Sequence, residues 1–272
     1  MSWMHAVAGL PLVVSLAGVI VISILVPWCA VSAVRRAWPH PRLEEHREIV
    51  GFTYAVFGLI YGVLLAYTIV VAWERFSETE RLVNREATVL SELWRDSQAF
   101  PPDQRAAIHA DLVSYTQAVV EKEWPAMAAR GEADPATAQV YEHLWGSSYQ
   151  LDPSTRSQEA FLQQYLERMN ELSSTRRLRI QDSRSEVHAI LWLVLLIGSI
   201  LTVGYTLLFS STRVWVHVVV TSSIMMVALM GLLVILSLQY PFTGDVTATP
   251  EAFKSLLDSF RLRMLPLREL LR

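Results

Sequence analysis

Lysine is almost missing from this chain: Lys122 and Lys254 are the two in 272 residues, and the net charge is −3. Such a balance gives no general attraction for nucleic acid. Cysteine is scarcer still. A lone Cys29 excludes an intramolecular disulfide and a CxxC metal site, and it reads as a small apolar residue in a helix. The seven histidines include no pair at i, i+4, the spacing that puts two metal ligands on one helical face. There is no GxGxxG, no GxxxxGK[ST] and no GxSxG, and the serines lack an evident His/Asp arrangement. No catalytic constellation emerges, and an enzyme is not expected.

What the chain has in excess is apolar sequence. Apolar residues make up 52% and the mean hydropathy is +0.31. The excess falls in four blocks, about residues 6–33, 49–73, 187–209 and 214–238, none of which contains Asp, Glu, Lys or Arg. Each is long enough to cross roughly 30 Å of hydrocarbon at about 1.5 Å per residue. Trp28, Trp73, Trp192, Tyr205, Trp215 and Tyr240 lie near their ends, where aromatic belts belong. The absence of carboxylates in the spans argues against a proton pump or proton-coupled carrier. The first block is expected to be a retained span. No Lys or Arg precedes Arg35, the run is longer than a signal-peptide core, and Trp28 beside Cys29 does not suit a lipoprotein cleavage site.

The chain therefore divides as follows: 1–73, spans one and two with an interfacial loop at 34–48; 74–186, a helical extramembrane domain; 187–238, a hairpin of spans three and four; and 239–272, a tail with an amphipathic helix at 250–264. The inserted region has no period-2 strands and reads as four helices. These run from Glu74 to about Ser97, from about Asp103 to Ala129, from an Asp134-Pro135 start, and from an Asp152-Pro153 start to about Glu186. Nothing at 73–74 or 186–187 breaks a helix, so spans two and three are both expected to continue unbroken out of the membrane. Heptad-like stripes run through the region: Phe76, Glu80, Val83, Ala87, Leu90 and Trp94 in the first helix, and Phe161, Tyr165, Met169, Leu172 and Arg176 in the last. Glu80 on such a seam must be paired, hydrated or at a subunit interface. The region holds 13 Lys/Arg and 19 Asp/Glu. That acidity favours cations near it, and it is also what a solvated surface carries. In the tail, Phe253, Leu256, Leu257 and Phe260 make a stripe that either lies on the membrane or docks on the bundle.

Span two is the informative segment. At about 100° per residue, Gly51, Ala55, Gly58, Gly62 and Ala66 share one smooth face, which includes Gly58-x-x-x-Gly62. Small residues let another helix approach closely in lipid. Beside it runs a stripe with Phe57, Tyr61 and Leu65. Around a symmetry axis these three would stack as rings, a constriction that gates by dewetting; alternatively they pack against the other spans of their own subunit. The small face and Glu80 together point to a homo-oligomer.

The run Val50-Gly51-Phe52, Tyr54 through Ala66, Trp73-Glu74-Arg75-Phe76 and Val83-Asn84-Arg85-Glu86-Ala87 resembles the bacterial bestrophin-like membrane proteins. Glu123-Trp124-Pro125-Ala126-Met127 and Pro241-Phe242-x-Gly244 are similar to that family too, so the resemblance covers about residues 45–260. It implies an all-α membrane fold with four spans and a helical domain between the second and third. It also implies a pentameric channel for inorganic ions in the inner membrane, surrounded by lipid, with the helical domain and both termini cytoplasmic. In bestrophins the segment after span four leads into an acidic calcium clasp. Here Asp245 is the one carboxylate before Glu251, so no cofactor is expected and calcium is doubtful. The rival reading is a non-conducting scaffold or sensor whose helical domain recruits a partner.

Overall fold

The computed structural model describes residues 2–37, 47–184, 187–209 and 213–264, all helix and connection, with no strand among them. In chain order the helices are α1 Ser2–Ala8, α2 Leu12–Ala37, α3 Arg47–Asp96, α4 Pro102–Ala118, α5 Trp124–Arg130, α6 Pro135–Tyr149, α7 Arg156–Ser183, α8 Ala189–Leu207, α9 Val214–Gln239 and α10 Glu251–Met264. Four of them, α2, α3, α8 and α9, are long and apolar enough to cross a membrane. Residues 38–46 of the expected interfacial loop, and 210–212 between α8 and α9, lie outside the described residues.

The chain forms two compact units. The first takes residues 1–75, 186–240 and 244–246; the second takes 76–185, 241–243 and 247–272. α3 contributes residues to both as one uninterrupted helix. The matching expectation for span three fails: α7 ends at Ser183 and α8 begins only at Ala189. His188 there adopts φ −53° and ψ 135°, outside the helical region, and serves as the N-cap of α8. The first apolar block also differs from expectation. Its start is a separate short helix, α1, and Pro11 precedes the true span, α2.

In the first unit α9 is the centre, packed along α2 and α8. Tyr61, Leu65, Trp192, Leu195, Leu232 and Ile235 form its core. Two polar pairs are matched inside it: Trp192 Nε1 donates to Gln239 Oε1 at 2.8 Å, and the Thr206 and Thr221 hydroxyl oxygens lie 3.1 Å apart. Trp192 is therefore a buried packing residue rather than a belt residue. The start of α2 receives help from far along the chain. Asp245 Oδ2 accepts from Leu12 N at 2.7 Å, and Gly244 turns at φ +85°, where a Cβ would sit 2.3 Å from Ala8 O.

The second unit is a helical bundle with a core that includes Leu90, Leu93, Trp94, Leu112, Tyr115, Met169 and Leu172. Its helix starts follow familiar chemistry. Asp134 Oδ2 accepts from Thr137 N at 2.8 Å, as its N-cap position predicts. The last helix is capped by Thr155, whose Oγ1 accepts from Gln158 N at 3.2 Å, rather than by Asp152. Between α4 and α5, Val119–Glu123 widen into a π-helical turn just before Pro125, which has no N–H for a regular ladder. α5 ends on Gly131 at φ +64°, where a Cβ would lie 2.8 Å from Ser183 O. The amphipathic tail helix α10 docks on this bundle. Phe260 stacks on Trp94 with centroids 4.3 Å apart, and Phe253 meets Trp124 at 5.8 Å.

Candidate functional site

The transmembrane part of α3 presents three distinct faces. The stripe of Phe57, Tyr61 and Leu65 faces the subunit's own α8 and α9. Tyr61 is 7% exposed and its hydroxyl lies 2.6 Å from Ser199 Oγ. Ser199 Oγ itself donates to Leu195 O, which leaves Tyr61 as the donor to Ser199. Gly198 and Gly231 make room for these side chains. A Cβ on Gly198 would fall 2.5 Å from Tyr61 Cδ2, and one on Gly231 would fall 2.7 Å from Leu65 Cδ2. Phe57 lies against Tyr205 at 5.7 Å, and Tyr54 meets Phe209 edge-on at 5.5 Å. In the single subunit this stripe is intramolecular packing, the second of the two uses its pattern allows.

The small-residue face is uncovered. A Cβ on Gly58 or Gly62 would meet nothing within 4 Å, and Ala55 and Ala66 are exposed. Gly51, at the end of this face, is 3.8 Å from Phe209 Cε1 when given a Cβ. Opposite the packed stripe runs a third face of Phe52, Val56, Leu59, Val63, Tyr67 and Val70, all exposed. Their spacing of 4, 3, 4, 4 and 3 residues keeps them on one side of the helix. Leu59 at 70% and Val63 at 61% exposure are large apolar side chains with no cover in their own subunit.

In the second unit Glu80 is exposed, and the buried positions around it are Phe76, Thr79 and Val83. Thr79 Oγ1 donates to Asp182 Oδ2 at 2.9 Å. The carboxylate that this helix does bury is Glu86. Its Oε2 accepts from Arg179 Nε at 2.6 Å, and its Oε1 accepts from Arg179 Nη2 at 3.1 Å and from Tyr115 Oη at 2.7 Å. Arg179 Nη2 also donates to Glu123 Oε2 at 2.6 Å, and Arg176 Nη2 donates to Glu123 Oε1 at 2.6 Å. Glu86, Glu123 and Arg179 are all fully buried, and the rings of Trp124 and Phe253 each lie 5.7 Å from the Arg179 guanidinium. Burial opposes the charge on Arg179, but Glu86 and Glu123 outweigh it and hold its pKa well above the ordinary value. Burial, then the Glu86 charge, raise Tyr115 well above its usual range, so it stays a hydrogen-bond donor.

Heptad phase carries the signal for this cluster. Tyr165, Leu172 and Arg179 are each seven apart, as are Thr79, Glu86 and Leu93, so the charges fall in the same buried layers as the apolar residues. The wide turn at 119–123 then brings in Glu123. Two acids and two arginines balance, with every carboxylate oxygen hydrogen-bonded, which is a structural brace rather than a reactive site.

Asp245 is engaged at the start of α2, and no group of three or more His, Cys, Asp or Glu among the described residues could hold a metal ion.

Comparison with known proteins fits an apolar four-span subunit. A point variant of a bacterial bestrophin homologue from Klebsiella pneumoniae superposes with a TM-score of 0.65 at 16% identity, covering 90% of this chain and 96% of that one. A second variant of that homologue gives 0.66 at 14% identity, with 90% and 98% covered. A crystal structure described as a membrane protein gives 0.66 at 14% identity, again with 90% and 98% covered. No curated protein matches by sequence. The Bestrophin-like domain matches residues 20–253, and the chain belongs to the Bestrophin-like family.

Proposed function

We propose that the chain assembles as a homo-oligomer, pentameric like the bestrophins it resembles, and conducts inorganic ions along an axis lined by α3. The observation that carries this reading is the three-sided character of that helix. Its back, Phe57, Tyr61 and Leu65, is anchored on α8 and α9. Its flank, Gly58 and Gly62, is open to a neighbouring helix. Its front, Phe52 through Val70, is apolar and uncovered. A helix anchored behind and packed closely at the side turns its front to a central axis. The lining thus passes from the Phe57 stripe to the opposite one, with Tyr61 and Leu65 as buttresses that set its position. Side chains four residues apart stack in layers about 6 Å apart. Rings of Leu59 and Val63 hold no ion tightly and form a barrier that opens by wetting or widening.

Glu80, exposed on the same helix, suits a contact with the neighbouring subunit. The inner membrane, with the helical unit and both termini on the cytoplasmic side, is the setting carried over from the resemblance.

The test is ion flux through liposomes that contain the purified protein. Flux that rises in a Leu59→Ala/Val63→Ala variant of unchanged oligomeric size supports the reading. A well-assembled parent and variant that both fail to conduct overturn it in favour of a scaffold.

A further inference from the structure

The second unit holds an open polar cavity of about 570 Å³ between α3, α4 and α10, lined by Glu92, Arg95, Gln98, Arg105, His109 and Arg263 among others. Its three arginines come from three different helices. The carboxylates nearby are already used. Arg168 Nε donates to Asp96 Oδ2 at 2.7 Å, and Arg168 Nη1 donates to Glu92. Arg95 Nε is 3.9 Å from Asp96 Oδ1, too long for a hydrogen bond. Neither Arg105 nor Arg263 has a carboxylate partner among the described residues. The fields of both reach His109. Burial is the first cause that lowers its pKa, and the two guanidinium charges lower it further. The His109 ring is fixed flat against Trp94, with centroids 3.6 Å apart, and its Nε2 is 2.9 Å from Ser97 Oγ.

The two surface readings of these facts differ in one respect. Arginines that serve only solubility point apart, or pair with nearby acids. Here three line one concavity, Arg105 half-buried and Arg95 and Arg263 exposed, and its one lining acid, Glu92, is paired with a fourth, Arg168. Like charges held together repel, and an anion between them removes that repulsion. The arginine fork matches phosphate oxygens two at a time. A cavity of this size is in the range of small-molecule sites, and one monovalent ion would leave most of it unfilled.

We propose that this cavity binds a multivalent phosphate anion, with Arg95, Arg105 and Arg263 clamping it from three helices. Because Arg263 belongs to α10, the ligand ties the tail helix to α3 and α4. The same chemistry is available from a free oligophosphate and from a lipid headgroup that carries two phosphates. The proposal does not depend on ion conduction.

The experiment is calorimetric titration of the full-length protein in detergent with inorganic triphosphate, then with orthophosphate. Triphosphate is expected to bind at least about tenfold tighter than orthophosphate, because only it spans several arginines. Arg105→Gln/Arg263→Gln should weaken it on the order of 100-fold, about tenfold per lost charge-assisted contact. Arg261→Gln, exposed on α10 and away from the cavity lining, is the control and should leave binding unchanged. Circular dichroism confirms that each variant keeps its helix content. Repeating the titration in phosphatidylcholine nanodiscs with and without cardiolipin separates the sources. Cardiolipin that competes with triphosphate in the parent identifies a lipid headgroup, and undiminished triphosphate binding identifies a soluble ligand. Absence of triphosphate binding, parent-like affinity in the double variant, or an equal loss in Arg261→Gln overturns the proposal.

Discussion

Replacing Arg179 with methionine keeps an unbranched stem of similar bulk but ends short of the guanidinium, so it removes the charge and the donors. In the parent, Arg179 makes two hydrogen bonds to Glu86 and one to Glu123. The substitution leaves Glu86 with the Tyr115 hydroxyl alone, and Glu123 with Arg176 alone. Two fully buried carboxylates are then left with one largely buried cation, which bonds Glu123 alone. Removing one partner from a buried ion cluster costs about 3–5 kcal/mol. That is a large part of the roughly 5–15 kcal/mol by which a folded unit is stable. Adding Glu86→Leu restores charge balance, because Glu123 and Arg176 still pair. The remaining cost is the unpaired Tyr115 hydroxyl, about 1–3 kcal/mol. The double variant is therefore expected to be more stable than Arg179→Met by about 2 kcal/mol. The assay is thermal unfolding of full-length protein in detergent by tryptophan fluorescence, since Trp124 lies beside Arg179. An Arg179→Met protein that melts with the parent, or a double variant that melts below the single, refutes the charge-balance reasoning.

Three further outcomes are expected. Gly198→Ala places a methyl carbon 2.5 Å from the Tyr61 ring and should destabilise the subunit by about 1–3 kcal/mol, read as a lower melting temperature. Gly62→Leu adds volume on an open face, so the subunit should keep its fold while the oligomer dissociates or shrinks on size-exclusion chromatography with light scattering. Asp134→Ala should cost about 1 kcal/mol at neutral pH through loss of the α6 cap. The Thr137 N–H lowers the pKa of that carboxylate, so its contribution is present above the ordinary carboxylate range and fades as pH falls through the lowered value. Parent and variant should therefore converge in melting temperature in acid.

The four spans are legible because hydropathy acts over about twenty residues and tolerates local error; on α3 the sequence marks a small-residue face and an aromatic stripe, but not the exposed apolar face of Phe52 through Val70. Which of those faces meets the subunit's own core was not legible. Gly198 and Gly231, which receive Tyr61 and Leu65, lie more than 130 residues away, and periodicity within one helix does not show its neighbours. The break between α7 and α8 was hidden for a related reason. Ser-Arg-Ser-Glu at 183–186 contains no residue that forbids a helix, and the end of α7 is held instead by a distant contact, Arg184 Nε donating to Gly131 O at 3.0 Å. Glu80 drew attention as the polar residue in an apolar stripe, whereas the buried acid lies at Glu86, paired through an arginine 93 residues on. The stripe of the tail helix leaves open what it covers, and Trp94 and Trp124 decide that.

The cap on α2 also sets an order in time. Leu12 N is one of the orphan donors at the start of a membrane-length helix, and its acceptor, Asp245, lies 233 residues later. At a synthesis rate of about 5–20 residues per second, on the order of 10–50 s separates the two on the ribosome. Until then the first span waits with its end group bound only to water. Asp245 thus acts as a latch that closes only after the fourth span has been made.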